Sequence, residues 1–450
     1  MTITAPIFKW ASWGKSDDIF VGIPDSFQDS QNIDIRTNPR GIKLNKALVK
    51  DSLTVVVEPI NCFIKVSTGD ILAFGNSWGV YHKTGGVWYK NTNSITGAIL
   101  SAIEFNGYVY MTNSTKLYRV AIGSIGHTMT LTEYQTFTNG GTSHPMTVYY
   151  DTFLLIGDKF GVAKLDTSSV WTTSKITLSP NLTIKYIYAQ GSSIKIYCQD
   201  LNNISTIVFW DWLTEAFTQS INLSGVNIQQ LQQKDWLDYV ISNNKLGIID
   251  WYKASTLKDI SGYSTNLNSI TVKDNKILYW VTGWVYEWGN LNKNYPEVLS
   301  NSYNTSNAIT DTVGAIFYDG TDLYVSWSNG STYWIDKLST SYKLTWYITC
   351  RVYYSDTRVF RKSSINVLTS FALLTGTDSI GIYYRENISG SFTLLRTITA
   401  AATKTNDYTD IVQLNGEWNF IEFKIVLNSA SWTTTPEFYE LFLEFDNLKI

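Results

Sequence analysis

The side chains that could do chemistry in this 450-residue chain are few and scattered. Its 3 histidines, His82, His127 and His144, stand in no HxH or HExxH spacing, so no metal-ligand pattern is written in the sequence. Cys62, Cys198 and Cys350 lie far apart, with no CxxC pair and in an odd number. That excludes a zinc framework and a disulfide scaffold, and leaves them as small core residues. Only one arginine, Arg119, falls between residues 62 and 344. A sialidase needs three guanidinium forks converging on a carboxylate, and they cannot be assembled there. Thr84-Gly85-Gly86-Val87-Trp88 has the glycine and tryptophan of an Asp-box without the preceding aspartate. A glycosidase needs only two facing acids, and Asp211, Asp238, Asp250, Glu287, Asp319 and Asp336 are the raw material. Most of these sit in hairpin turns or beside strand aromatics, where turn formation or solvation is the ordinary role. There is no G-x-S-x-G elbow and no Walker-type loop, and Gly123 to Gly126 reads as a plain loop. The reading is of no catalytic, metal or cofactor-binding residues, and of no cofactor.

Aromatic residues offer a different chemistry, since Trp and Tyr stack on sugar rings. Trp210-Asp211-Trp212 and Trp284-Val285-Tyr286-Glu287-Trp288 are the candidate platforms. Alternating aromatics on a strand share one face, however, so the first reading is core, with glycan contact and an intersubunit surface as alternatives.

The elements that would carry these residues are short strands in a repeat. Seven apolar quartets, each entered from a tight turn of Gly, Asn or Asp, begin at residues 71, 108, 153, 194, 237, 277 and 323, a mean spacing of 42 residues. Ile71-Leu72-Ala73-Phe74 and Ile277-Leu278-Tyr279-Trp280 are typical. That step suits one four-stranded propeller blade of roughly 40–50 residues. The turn residues tolerate the positive φ of two-residue hairpins, and the quartets are rich in β-branched and aromatic residues. A second strand signal follows most quartets, as in Thr206-Ile207-Val208-Phe209-Trp210. No sustained i, i+3, i+4, i+7 stripe appears, so long helices are not expected. Residues 62–344 therefore read as a β-propeller of about seven blades, six if one unit is partial, with a tandem of sandwiches as the alternative.

After Leu344 the step breaks and the strands lengthen. Seven candidates run through Trp346–Tyr354, Val359–Leu368, Ser379–Arg385, Phe392–Thr399, Asp407–Leu414, Trp418–Asn428 and Phe438–Phe445, with an Asn415-Gly416 hairpin turn. Residues 345–450 thus read as a β-sandwich. Arg351, Arg358, Arg361, Arg385 and Arg396 fall here, either to bind phosphate or another subunit, or to pair with the region's acids on exposed strand faces. Residues 1–61 read as an arm in which Ile33-Asp34-Ile35-Arg36 and Ile42-Lys43-Leu44 flank an Asn38-Pro39-Arg40-Gly41 turn, an extended hairpin that crosses the propeller, reaches a neighbour or completes the sheet of the C-terminal sandwich.

Composition closes off further classes. Lys plus Arg number 35 against 38 Asp plus Glu, a net charge of −3, so the basic excess of a duplex reader is missing. Charged residues make up 16% and aromatics 15%, which argues against disorder. The sequence shows no secretory-signal pattern at Met1–Trp10 and no run of 18 apolar residues, so a soluble, unexported protein is expected.

Two stretches look familiar. The arm from Asp25 to Ser52 resembles the start of propeller proteins encoded in tailed-phage structural gene blocks. The C-terminal Gly416 to Lys424, Thr435 to Leu441, and Ile382-Tyr383-Tyr384-Arg385 before Phe392-Thr393-Leu394-Leu395 resemble their sandwich segment. The resemblance implies a virion protein of the tail, similar in type to the propeller-bearing nozzle or tube proteins of short-tailed phages. It implies a homo-oligomeric ring, other tail proteins as partners, and genomic DNA passing without sequence-specific binding. Low net charge is compatible with such a wall, since clustered basic residues would hold the DNA. The alternatives are a glycan-binding receptor-recognition protein of the virion and, behind it, a polysaccharide depolymerase.

Overall fold

The computed structural model describes residues 2–7, 15–16 and 27–447, apart from 39, 53, 93–94, 142, 251–252, 261–265, 282–283, 291–293, 295, 309, 355–361, 387–389, 400–406, 413–416 and 419. Arg358, Arg361 and the Asn415-Gly416 turn thus lie outside the described residues. The secondary structure is almost wholly strand, and no described helix is long and apolar enough to cross a membrane.

Among the described residues, seven of the nine sheets have four strands each. In chain order, blade one is Ile60–Lys65, Ile71–Gly75, Val80–Thr84 and Val87–Lys90, and blade two is Ser101–Phe105, Tyr108–Thr112, Lys116–Ala121 and Thr132–Thr136. Blade three is Met146–Tyr149, Phe153–Asp158, Gly161–Asp166 and Trp171–Thr177. Blade four is Thr183–Gln190, Ser193–Gln199, Ser205–Trp210 and Gln219–Leu223. Blade five is Ile228–Lys234, Leu237–Ser242, Lys245–Asp250 and Lys253–Asp259, and blade six is Ile270–Lys273, Lys276–Val281, Trp284–Gly289 and Val298–Asn304. In blade seven, Thr312–Tyr318, Leu323–Asn329 and Thr332–Tyr342 are completed by Lys46–Lys50.

Each apolar quartet is the second strand of its blade. Those strands are covered on both faces, so most read as continuous apolar runs instead of alternating ones, the exceptions being blades four and five, whose quartets carry the mutually paired Lys195 and Asp238. Ile71, Leu72, Ala73 and Phe74 are all buried, as are Ile277, Leu278, Tyr279 and Trp280. Polar fourth strands such as Thr132–Thr136 close the blades toward solvent.

By compactness the chain forms two units: Met1–Val49 with Trp284–Ser306 and Leu338–Ile450, and Lys50–Gly283 with Asn307–Lys337. The first contains a β-sandwich. One sheet orders Ile33–Asp34, Ile42–Leu44, Glu437–Asn447, Lys362–Ala372 and Asp407–Val412, and the other Phe27–Ser30, Thr345–Cys350, Phe420–Asn428, Ser379–Glu386 and Thr393–Thr399. Burial of Ile421, Phe423, Ile425 and Leu427 follows the two-residue period of a half-buried strand. Phe27, Ile33, Ile35, Ile42 and Leu44 join them in a single core. Ile33–Asp34 and Ile42–Leu44 pair with each other as a hairpin, Ile33 opposite Leu44, and that hairpin and the other described strands of residues 2–44 are built into the two sandwich sheets: Ile42 pairs with Phe438, Thr2 with Asp446, and Phe27 with Cys350. Gly41 is required at its turn because a Cβ there would lie 2.7 Å from the Tyr439 ring.

Candidate functional site

Most of the carboxylates that sequence singled out are already engaged. Asp238, on the second strand of blade five, is buried and accepts from Lys195 Nζ at 2.8 Å, Gln233 Nε2 at 3.0 Å and the Tyr197 hydroxyl. Lys195 and Tyr197 belong to blade four, so this carboxylate locks two blades. Burial, and then the Asp238 charge, push the Tyr197 phenol well above its ordinary range. Glu287 is buried against Arg36 Nη1 at 3.0 Å, Ser302 Oγ at 2.7 Å and Tyr303 OH at 3.2 Å. Asp211 and Asp319 form turns, accepting from the backbone N–H groups of Leu213 and Thr214, and of Thr321 and Asp322. Asp336 is buried, and Asp250 is exposed at a strand end. The six acids are thus spread over turns, a strand end, the buried middle of the strand Thr332–Tyr342 and two buried networks.

The remaining candidates are likewise placed by packing. The Arg119 guanidinium lies between the rings of Tyr108 and Tyr134, at 4.6 and 4.2 Å. The buried Glu422 carboxylate receives Arg385, while Arg351 lies over Tyr353. All three thiols are free and buried, and burial pushes each above its ordinary range, which keeps them inert. Trp88 donates to Asp51 at 2.6 Å, as does Lys83, across the Gly85-Gly86 turn region of blade one. Trp210 is buried and donates to Thr214 O, Trp284 packs edge-on against Trp346, and Trp288 donates to Glu297. His82 lies 3.4 Å from Asp70, and exposed His127 packs on Tyr89. Among the described residues no group of three or more His, Cys, Asp or Glu could hold a metal ion.

His144 carries a pH signature. Its ring stacks on Phe137 at 3.9 Å, with Nδ1 2.7 Å from Gly157 O and Nε2 3.1 Å from Ser114 O. Burial holds its pKa below the usual 6.5, against the upward pull of the two carbonyls and Asp158. The unfolded chain therefore binds the extra proton first. The stability due to neutral, buried His144 is present above about pH 6.5 and is lost as pH falls below it. Thermal unfolding midpoints measured from pH 7.5 to 5 should fall with acidification, and His144→Asn should flatten that slope. An unchanged slope would refute the assignment.

Two features that sequence reasoning missed shape the propeller. Glu58 is buried with its carboxylate accepting the backbone N–H groups of Ser77, Trp78 and Gly79. Glycine is needed at 75 and 79, because a Cβ there would lie 2.3 and 2.4 Å from that carboxylate. The second is at the axis. Asn268 Nδ2 donates to Asn61 O of blade one at 2.8 Å, Leu267 O accepts from Tyr186 of blade four, and Asn266 O accepts from Gln230 of blade five. Ile316 N of blade seven donates to Asn268 O at 2.9 Å. The Asn266-Leu267-Asn268 segment thus crosses the axis and plugs it. Around the plug lie cavities of about 170 and 410 Å³, lined by a mixture of apolar side chains such as Leu100 and Leu267 with amides, hydroxyls, His144 and Lys185, and with no carboxylate among the lining residues. Asn61 and Lys185 reach these cavities as extra residues of β-bulges in the inner strands, which turn a polar side chain out of the ladder. No signal in a single sequence marks such a bulge.

The fold is therefore a seven-bladed β-propeller joined in one chain to a two-sheet β-sandwich. No family model matches the sequence, and no curated protein matches it. Among solved structures the chain is similar to the extracellular domain of a one component system from B. thetaiotaomicron, at 16% identity over 66% of this chain and 41% of that one, with a TM-score of 0.48. It is also similar to exo-beta-1,3-galactanase from Phanerochaete chrysosporium, at 10% identity over 88% of this chain and 100% of that one, with a TM-score of 0.35. The chain spans 41% of the length of the first of these.

Proposed function

We propose that this chain is a non-enzymatic structural subunit of a phage tail that assembles as a ring at the tube or nozzle. The observation that carries the reading joins the two stretches whose sequence resembles phage propeller proteins. Ile42 and Lys43 of the arm pair with Phe438 and Glu437 of the C-terminal stretch, so both belong to one sheet. Arg36 of the same arm is sunk into an ion pair with Glu287 and donates to the Glu287 and Val298 carbonyls. Strands far apart in sequence held in one sheet suit a part that must bear load. The propeller's own axis is plugged by residues 266–268, so in this reading the DNA path runs between copies and not through a propeller.

Native mass spectrometry and electron microscopy of the purified full chain test the proposal. A closed ring with a central opening is the expected result. A monomer at every concentration, or reducing-sugar release from a surface polysaccharide, would overturn it.

A further inference from the structure

Three hairpin tips of the propeller carry an aromatic residue where the backbone disfavours one. Tyr150, Trp212 and Trp236 have φ of 48°, 65° and 71°, in the left-handed region that suits Gly, Asn and Asp. At most of its other left-handed positions the described chain uses those residues, as at Asn106, Asn243, Asn244 and Asn275, with Lys159 and Ser169 as exceptions. Each of the three aromatics also sits next to an aspartate: Tyr150-Asp151, Asp211-Trp212 and Asp235-Trp236.

Topology places the three together. Tyr150 and Trp236 lie in the turns joining the first and second strands of blades three and five, and Trp212 lies between the third and fourth strands of blade four. In an antiparallel four-stranded blade both of those connections are at the same end, so the tips of three consecutive blades share one face of the ring. Tyr150 is 65% exposed and Trp236 71%. Behind Tyr150 the Trp212 ring packs on Phe153 at 4.4 Å and on the buried Tyr149 at 5.9 Å, and Tyr149 meets Tyr150 at 4.6 Å, so an aromatic cluster supports this part of the face. Glu215 and Asp250 fall in connections at the same end, beside the three tip aspartates.

Ring faces and carboxylates attract the same kind of group, a cation. The molecule does this on its own surface, where Lys164 Nζ lies 4.8 Å from the Phe153 centroid. We propose that this face docks a cationic protein segment whose Lys or Arg side chains reach the exposed Tyr150 and Trp236 rings and the aspartates beside them, Asp151 and Asp235, the latter 3.9 Å from Lys234 Nζ, while the Asp211 carboxylate holds its own turn. A neutral glycan would stack on the rings but has no charge to meet the row of aspartates, and the same row repels nucleic acid. The proposal does not depend on how the chain assembles.

The full-length protein should be titrated with deca-lysine and deca-arginine peptides, with a deca-glutamate peptide and a neutral dextran oligosaccharide as competing probes. The basic peptides should bind, more weakly as salt rises. The double variant Tyr150→Asn/Trp236→Asn should lose roughly 10-fold in affinity, as expected for two cation–π contacts. Its thermal midpoint should rise, because asparagine accepts the left-handed backbone that these aromatics resist. Asp151→Asn with Asp235→Asn should weaken binding and flatten its salt dependence. The proposal is overturned if the double asparagine variant binds the basic peptides as tightly as wild type, if dextran binds in their place, or if no probe binds.

Discussion

Glu287→Ala is expected to destabilise the protein by ~3–5 kcal/mol, the range for stranding one partner of a buried ion pair. The pair is 3.0 Å apart, and both side chains are 4% exposed. Removing the carboxylate leaves the Arg36 guanidinium buried with only carbonyls and the Ser300 hydroxyl as acceptors. The Ser302 and Tyr303 hydroxyls lose their acceptor at the same time. Desolvation weighs more here than attraction, so the double change Arg36→Met/Glu287→Leu should recover much of the loss. Chemical denaturation followed by tryptophan fluorescence measures both. A loss under about 1 kcal/mol for the single variant would show that the ion pair is not what holds the arm.

Asp238→Ala should cost a comparable ~3–5 kcal/mol, for the same reason at a different place. Lys195 is 5% exposed and Asp238 1%, so the ammonium has no water to turn to when its partner is removed. Tyr197 and Gln233 lose their acceptor as well. Asp238→Asn keeps an oxygen for the phenol but removes the negative charge 2.8 Å from Lys195 Nζ, and should fall between wild type and alanine. Hydrogen exchange should locate the damage in blades four and five. Loss of protection confined to distant blades would contradict the interblade role given to this carboxylate.

The repeat was legible because burial on both faces of each second strand leaves an uninterrupted apolar run such as Phe153-Leu154-Leu155-Ile156. Turn chemistry marked where those runs begin, and two-residue alternation marked Phe420–Asn428 in the sandwich. The turn at residues 38–41 marked the pairing of Ile33–Asp34 with Ile42–Leu44, but which sheet that short hairpin joins was hidden, because its other partner strand lies at the far end of the chain. Lys46–Lys50 gave no propeller signal, since a closing strand needs only backbone hydrogen bonds and two inward side chains, Ala47 and Leu48. The engagement of Asp238 and Glu287 was equally silent. A buried carboxylate and a turn carboxylate are the same letter, and only the lysine or arginine brought beside it in space tells them apart.

Pairing Ile42 with Phe438 also imposes a schedule on biosynthesis. The arm leaves the ribosome about 400 residues before its partner strand exists, a wait of roughly 20–80 s at ordinary elongation rates. During that interval Ile33, Ile35, Ile42 and Leu44, all fully covered in the finished protein, have nothing of their own to cover them. The nascent chain is therefore at its most aggregation-prone before its last strand is made, and slowing translation should lower the yield of native protein more than chilling the completed chain does.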